Sequence, residues 1–409
     1  MPDHPRSRDS MPDFDFESLT YQHFDDNYPG PRHDALGAKT VFGGDPRERY
    51  RQLSLKRMLD QLNGRAPAPL PEFPNGWFGI GFASDLEPQE VRALNLFGQD
   101  VVLYRGRSGE AHLLDAYCPH LGAHLGHGGK VAGENVVCPF HAWSFDGTGQ
   151  CTNVPYSDEI PADSGIRAWP LRERNGLLFA WYHAEGKEPD WEISELPEFS
   201  DPGHRIAGIR CTHFTSHVQD VVENGVDLPH FRVVHQWDAD QVEWSTHGPE
   251  YRMAYRIETM RDKKRDAPEI HSTTQGPGYT FTTFAGSLRG VSTHAMTQVE
   301  PGVFQLLQIY VYHKDIPDDA CEAAMEGSSY EWASDIPIWE NKKILLKPLL
   351  TADDGPVSAY RRWFNQFYST PVDQGDVEEK ALRNVKEVSE GRFLMGPAVR
   401  RESTPGAES

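Results

Sequence analysis

The chain has 409 residues and a net charge of −21, from 61 acidic against 40 basic side chains. That balance argues against nucleic acid or an anionic membrane as the main partner, while 38% apolar and 11% aromatic residues suffice for two cores of ordinary size. No apolar run approaches the ~18–20 residues of a membrane-spanning helix, the polar, acidic start is no secretory signal, and five scattered cysteines make no disulfide framework, so a reducing, cytoplasmic setting is expected.

Residues 1–72 read as an N-terminal extension, partly disordered and carrying one helix. Up to about residue 46 they are rich in Asp, Pro, Gly and His without a sustained period. "RERYRQLSLKRMLDQLNG" (47–64) then places apolar residues at helical spacing and ends on Gly64, with "RAPAPLPEFP" following as a linker. Residues 73–195 change to short alternating runs cut by turn residues, among them "VVLYRG", "AHLLDAY" and "GLLFAWYH", the pattern of a small all-β domain. Residues 196–390 mix strand-like "YRMAYRIETM" and "GVFQLLQIYVYH" with helical "HVQDVVENGVDLPHFRVVH", "YEWASDIPIWENKKIL" and "DVEEKALRNVKEVSEG". That is an α+β pattern, a sheet flanked by helices. Residues 391–409 read as a C-terminal tail, and no internal repeat is visible.

Within the first domain, "CPHLGAHLGHGGKVAGENVVCPFHAW" pairs Cys118-x-His120 with Cys138-x-x-His141. Structural zinc sites prefer paired cysteines followed by paired histidines, whereas here each half-site supplies one of each. Such halves suit a two-iron centre in which thiolates take one iron and imidazoles the other. Glycines 122, 126, 128 and 129, with prolines 119 and 139, fit two tight loops closing over it. Zinc, a two-iron cluster and chance placement all remain open on the residues alone.

In the second domain, Asn224, Asp227, His230 and His235 fall in one stretch. Asp227 and His230, three apart, are expected on one helix face. His230 and His235, five apart, converge on one ion only if the helix breaks after the first of them, and Pro229 is placed to begin or bend a turn. Alone, His-x₄-His is weak, and two structural histidines are its default reading.

Taken together, these motifs resemble those of the Rieske non-heme iron oxygenases. The first matches the Rieske domain signature at Cys118, His120, Cys138 and His141, which implies a [2Fe-2S] cluster. Respiratory Rieske proteins carry a further, disulfide-linked cysteine in each loop; Ala123 and Phe140 stand at those positions, implying the lower-potential type of centre. Cys151, Cys211 and Cys321 are left as buried or incidental thiols, and His124 and His127 as loop-surface residues. The second matches the family's Asp-x-x-His-x₄-His and implies a mononuclear Fe(II) held by His230, His235 and a later carboxylate. "ASDIPIWENKK" offers Asp335 five residues before Glu340, as in the family's Asp-x₄-Glu helix; a helix N-cap is the alternative role for Asp335, and Asp353 and Asp354 are its competitors, read as a turn. The resemblance further implies that Asp227 hydrogen-bonds between an iron-ligating histidine and a cluster histidine of the neighbouring subunit, that Asn224 lines the iron site, and that the enzyme is a head-to-tail homotrimer. It implies an N-terminal all-β Rieske domain and a C-terminal helix-grip domain, an antiparallel sheet with flanking helices.

Within that family, "FPNGWF" (73–78), "LDAYCPHLGAHLGHGGKV" (114–131) and "CPFHAWSFDGTGQC" are similar to the cholesterol 7-desaturases. "DIPIWENK" and "DDGPVSAYRRWFNQFYS" (353–369) are shared in style with these and with the oxygenase component of 3-ketosteroid 9α-hydroxylase. The resemblance implies that NAD(P)H electrons reach the cluster through a reductase or ferredoxin partner and, with O₂ as co-substrate, oxidise a C–H bond of an apolar steroid or sterol by hydroxylation or C7 desaturation. Phe214, Phe231, Trp237, Tyr279, Phe281, Phe284, Tyr310 and Trp339 offer aromatic bulk for a deep pocket. A polar extension stands where the animal desaturases carry a membrane anchor. An oxygenase of other small molecules is the alternative within the family; a Rieske electron carrier is the alternative outside it and leaves residues 196–390 without a role.

Overall fold

Between residues 76 and 182 the alternating runs fold as three small antiparallel sheets. The structure is a computed structural model and describes residues 28–62, 69–259, 269–284, 286–300, 302–375 and 385–387. One sheet joins Val91–Leu96, Gln99–Arg105, Ala111–Asp115 and Ala168–Trp169; a second joins Lys130–Ala132, Asn135–Val137, Ser144–Phe145 and Cys151–Asn153. The tight connections at the mouth of the second sheet carry the Cys/His pairs. A third sheet, Gly76–Phe82, Leu177–Tyr182 and Leu171–Arg174, faces the rest of the molecule.

In that third sheet the strands Gly76–Phe82 and Leu177–Tyr182 are nearly all apolar because both their faces are covered, while the edge strand Leu171–Arg174 carries charge. Trp77, Phe179 and Trp181 share a core with Cys211, Tyr279, Leu307 and Ile309 of the second domain. The approach is close enough that a Cβ on Gly79 would lie 2.5 Å from the Cβ of Ala295, so only glycine fits there. The Thr297 hydroxyl donates to the carbonyl of Gly79 (2.7 Å), tying the two sheets at the same point.

The second domain is one eight-stranded sheet. Its order is His204–Thr215, Val303–His313, Gly290–Glu300, Tyr279–Phe284, Glu269–Gln275, Glu250–Thr259, Trp237–His247 and Val385–Glu387. All neighbours are antiparallel except the last pair, which is parallel. Residues 376–391, read above as a helix, contribute Val385–Glu387 as this edge strand; the rest of that stretch lies outside the described residues. Hydrogen bonds along an open sheet edge override helical spacing here. At the opposite edge Lys39 makes a parallel bridge with Arg210.

Among the described residues, five α-helices frame the sheet. Helix α1 (Pro46–Leu62) is anchored by Tyr50, whose hydroxyl bonds Glu300; Gly64, its expected end, lies outside the described residues. Helices α2 (Val218–Glu223) and α3 (Leu228–Val233) follow the first strand of the sheet and are joined by a 3₁₀ turn over Asn224–Val226. Helix α4 (Asp318–Trp339) lies across the sheet, its Met325 filling the space a side chain at Gly208 would need. Helix α5 (Val357–Phe364) buries Tyr360, Trp363 and Phe364 and braces α2, with Arg361 paired to Glu223 (2.7 Å) and the Tyr360 hydroxyl donating to the carbonyl of Gln219 (3.2 Å). Ahead of α1 the chain drapes over the first domain, where the amides of Arg32 and His33 donate to Asp85 (3.0 and 2.9 Å).

Candidate metal centres

The loop after Tyr117 turns back on itself because Gly122 takes φ +75°, letting its amide donate to the carbonyl of Cys118 (2.9 Å). The second loop does the same: Ala142 adopts φ 58° and its amide donates to the carbonyl of Cys138 (3.1 Å). Both sulfurs are thereby buried, 2% exposed at Cys118 and 3% at Cys138, while the histidines stand outward with ring centroids 4.6 Å apart. His120 stacks on Trp143 at 4.8 Å, and the Trp143 indole donates to the Tyr156 hydroxyl (2.8 Å), fixing the ring plane.

The donor set fits the two-iron centre. Nδ1 of His120 and Nδ1 of His141 are buried without a hydrogen-bond partner, which an imidazole avoids unless that nitrogen has another use. Burial, with the Cys138 thiol beside it, pushes the Cys118 thiol up to about 11. Two thiolates in that space call for a cation between them. Ala123 and Phe140 stand in the two loops without sulfur, and all five cysteines are free. His124 and His127 lie against each other, centroids 4.5 Å apart, as a pair of their own.

The second constellation is built by the break in the α2–α3 segment. Asp227, with φ −81° and ψ 89°, is outside helical conformation and precedes α3. It therefore does not share a helix face with His230, as spacing alone predicted. Its backbone carbonyl, rather than its carboxylate, takes the proton of His230 Nδ1, since an N-cap carbonyl points along the helix it starts. His230 Nε2 thus carries the lone pair. Helix α3 ends at Val233, and Gln236 at φ 59° reverses the chain so that His235 swings round to His230; their ring centroids are 5.1 Å apart. The required break after the first histidine is present.

Helix α4 supplies the third group. Asp335 lies one turn before the end of α4, not at its N-cap, and its Oδ2 is 3.3 Å from His235 Nε2. His230, His235 and Asp335 each offer one ligand atom within 4.8 Å of the others, close enough to hold a single metal ion. Asp353 and Asp354 fall in a turn, where Asp354 accepts from the Thr351 amide. Asn224 spans the trio: its Nδ2 donates to Asp335 Oδ2 (2.9 Å) and lies 2.9 Å from His230 Nε2. Burial lowers the pKa of His230, favouring the neutral imidazole that ligation needs, and burial raises that of Asp227. Three converging groups, two of them joined by a single amide donor, fit one divalent ion.

The trio opens on a cavity of about 340 Å³ between α4 and the sheet. Phe231, Trp237, Phe284, Tyr310 and Trp339 line it as expected, but Phe214, Tyr279 and Phe281 do not. Phe214 stacks on Trp339 in the core behind, and Tyr279 belongs to the core shared between domains. Sequence reasoning missed a wall of Ser, Thr and His294 side chains and, on α4, Ser328, Glu331 and Trp332, and it counted Tyr310 for its ring and not its hydroxyl. Burial, then the Asp335 charge, raises Glu331 to about 8. The signal was available: Ser328, Glu331 and Asp335 recur at three- and four-residue spacing.

Residues 76–169 match the family model described as Rieske [2Fe-2S] domain, and residues 180–368 that described as 3-Ketosteroid 9alpha-hydroxylase C-terminal domain. Cholesterol 7-desaturase from Xenopus laevis is 31% identical over 353 residues, 79% of this chain and 77% of that protein. The 3-ketosteroid-9-alpha-monooxygenase oxygenase component from Rhodococcus rhodochrous is 32% identical over 346 residues, covering 79% and 90%. Among solved structures, dicamba monooxygenase bound to dicamba superposes with a TM-score of 0.56 at 17% identity, over 73% of this chain and 98% of that one. Pseudomonas putida CBB5 NdmA with caffeine gives 0.60 at 19%, over 70% and 89%. These likenesses concern the fold. No helix among the described residues is long and apolar enough to cross a membrane.

Proposed function

Because the chain belongs to the Rieske oxygenase family, we propose that it oxidises a C–H bond of a steroid or sterol, by hydroxylation or by C7 desaturation, drawing electrons from a reductase or ferredoxin partner. The observation that carries this reading is the His230–His235–Asp335 trio at the end of a mainly apolar cavity, on a chain that also presents the Cys/His quartet. An electron carrier has no use for either the trio or the cavity.

In this reading Cys118, Cys138, His120 and His141 hold the cluster, and His230, His235 and Asp335 hold the iron. Cluster and iron, when bound, supply electron delivery and oxygen activation. The rest is work for the chain's own groups. The Asp227 carbonyl fixes the His230 tautomer, so that Nε2 faces Asp335. Asn224 keeps the Asp335 carboxylate turned toward the histidines. Phe231, Trp237 and Trp339 shield that end of the cavity from water and give the apolar substrate its contact surface. As part of this proposal the Asp227 carboxylate bonds a cluster histidine of the neighbouring subunit in a head-to-tail homotrimer, and the acidic balance with five free cysteines supports a cytoplasmic setting.

Iron and acid-labile sulfide analysis with a visible spectrum tests the centres. Iron equal to a two-iron cluster plus one further atom supports the oxygenase, whereas iron matching the cluster alone, or zinc, refutes it. Turnover of cholesterol and of 3-keto-4-ene steroids with a compatible reductase tests the substrate class. Failure of both, with all iron present, removes the steroid assignment while leaving the oxygenase.

A further inference from the structure

The polar wall of the cavity is a directed chain of hydrogen bonds. On the adjacent strands Gly290–Glu300 and Val303–His313, Ser292 pairs with Tyr310 and His294 with Gln308. The Ser292 hydroxyl is 3.1 Å from His294 Nε2, and Gln308 Nε2 reaches both His294 Nδ1 (3.1 Å) and the Tyr310 hydroxyl (2.9 Å). Tyr310 in turn meets the hydroxyl of Ser328 on α4 (3.0 Å). Ser292, His294, Tyr310 and Ser328 line the cavity; Gln308 lies wholly buried behind them.

The amide of Gln308 sets the direction. As placed, both its protons are used and only its carbonyl is without a partner. The reversed amide would orphan two N–H donors to satisfy one carbonyl, and buried orphan donors are the rarer defect. His294 Nδ1 therefore accepts and Nε2–H donates to Ser292; burial, which pushes His294 down to about 4, keeps it neutral in that tautomer. Tyr310 accepts from Gln308, and either hydroxyl of the Tyr310–Ser328 contact could donate; the buried Tyr310 proton has no acceptor among the described residues other than the Ser328 oxygen, which assigns the donor role to Tyr310. At each end a serine oxygen already accepts, so its own O–H is left over for the cavity.

Resting on the steroid reading, we propose that Ser292 and Ser328 are specificity-determining donors that select a substrate bearing a carbonyl oxygen over the matching alcohol. A ketone only accepts, which is what two outward O–H groups require. An alcohol accepts too, but its own proton finds only the second lone pair of a serine oxygen that already accepts once from the relay, a poorer partner than the water it leaves.

The test is equilibrium binding to the full-length holoenzyme, read by quenching of the cavity tryptophans, with a 3-ketosteroid and the 3-hydroxysteroid of identical skeleton. The wild type is expected to bind the ketone about tenfold more tightly, the equivalent of one hydrogen bond. Ser292→Ala with Ser328→Ala is expected to shrink that preference to about twofold or less, with the thermal midpoint monitored to establish folding. Equal or tighter binding of the alcohol by the wild type, a comparison that needs no variant, overturns the inference, as does a folded double variant that keeps the preference. If no steroid binds at all, the steroid reading itself fails and this inference with it; steroid binding without preference removes this inference alone.

Discussion

Asn224→Ala separates two opposed contributions at the trio. The Asn224 amide donates to the Asp335 carboxylate at 2.9 Å, and a hydrogen bond to a charged group contributes about 1.5–3 kcal/mol. The same amide sits 2.9 Å from His230 Nε2, the lone pair a metal ion must take over, and breaking that contact costs about 0.5–1.5 kcal/mol. Removing both leaves a net loss of about 1–1.5 kcal/mol, or roughly tenfold weaker metal binding, at the low end of the range for groups that orient metal ligands. The measurement is an anaerobic Fe(II) titration after the mononuclear iron has been removed with a chelator that spares the cluster; the cluster's visible spectrum serves as the internal control. Unchanged or tighter binding in Asn224→Ala, with that spectrum intact, refutes the view that Asn224 positions Asp335.

Three further outcomes follow from the same geometry. Asp335→Ala is expected to abolish retention of the mononuclear iron while iron and sulfide in cluster ratio remain; full iron retention would point to a different carboxylate. Gly79→Val brings side-chain atoms against Ala295 across the shared core and is expected to destabilise by about 1–3 kcal/mol in urea unfolding, against no change if the two domains were merely adjacent. His213 and His294 are pushed down by burial to about 3 and about 4. Between those values and the ordinary histidine value near 6.5 the unfolded chain binds protons that the folded chain does not, so stability falls as pH falls, by about 1.4 kcal/mol per pH unit per histidine. It is fully present above that ordinary value. Urea unfolding at pH 7.5, 6 and 5 measures the slope, and a His213→Gln variant with an unaltered slope would exclude His213 as a source.

What could be read from the sequence was what is written locally. The quartet lies in two short loops whose spacing survives folding, and His230 and His235 are separated by one break that Pro229 and the five-residue interval announce. Asp335 needed the family's Asp-x₄-Glu pattern, because nothing local says that α4 crosses the sheet to meet α3. The aromatic pocket was over-read for a simple reason. Along Tyr279–Phe284 the cavity takes Thr280, Thr282 and Phe284, so period-two alternation sends Tyr279 and Phe281 to the other face. Parity alone could have excluded them. The Ser292–His294–Gln308–Tyr310–Ser328 relay was not legible, since it depends on the register between two long strands and on a helix some twenty residues further on. The 376–391 stretch failed differently: its spacing is helical, yet Val385–Glu387 is recruited as an edge strand by Val242–Trp244, 143 residues earlier in the chain.

That recruitment and the bridge at Lys39 have a shared effect on solubility. An open sheet of long strands offers two rows of unpaired amides and carbonyls to any other copy of itself. Here one rim is met by Lys39, whose carbonyl accepts from the Cys211 amide at 3.0 Å, and the other by Val385–Glu387 alongside Val242–Trp244. Lys39, in the N-terminal extension, and Val385–Glu387, in a stretch whose spacing is helical, thus act as guards against self-templating. Trimming either end to obtain a minimal catalytic body is expected to yield a protein that still folds but associates edge to edge, with aggregation rising steeply with concentration.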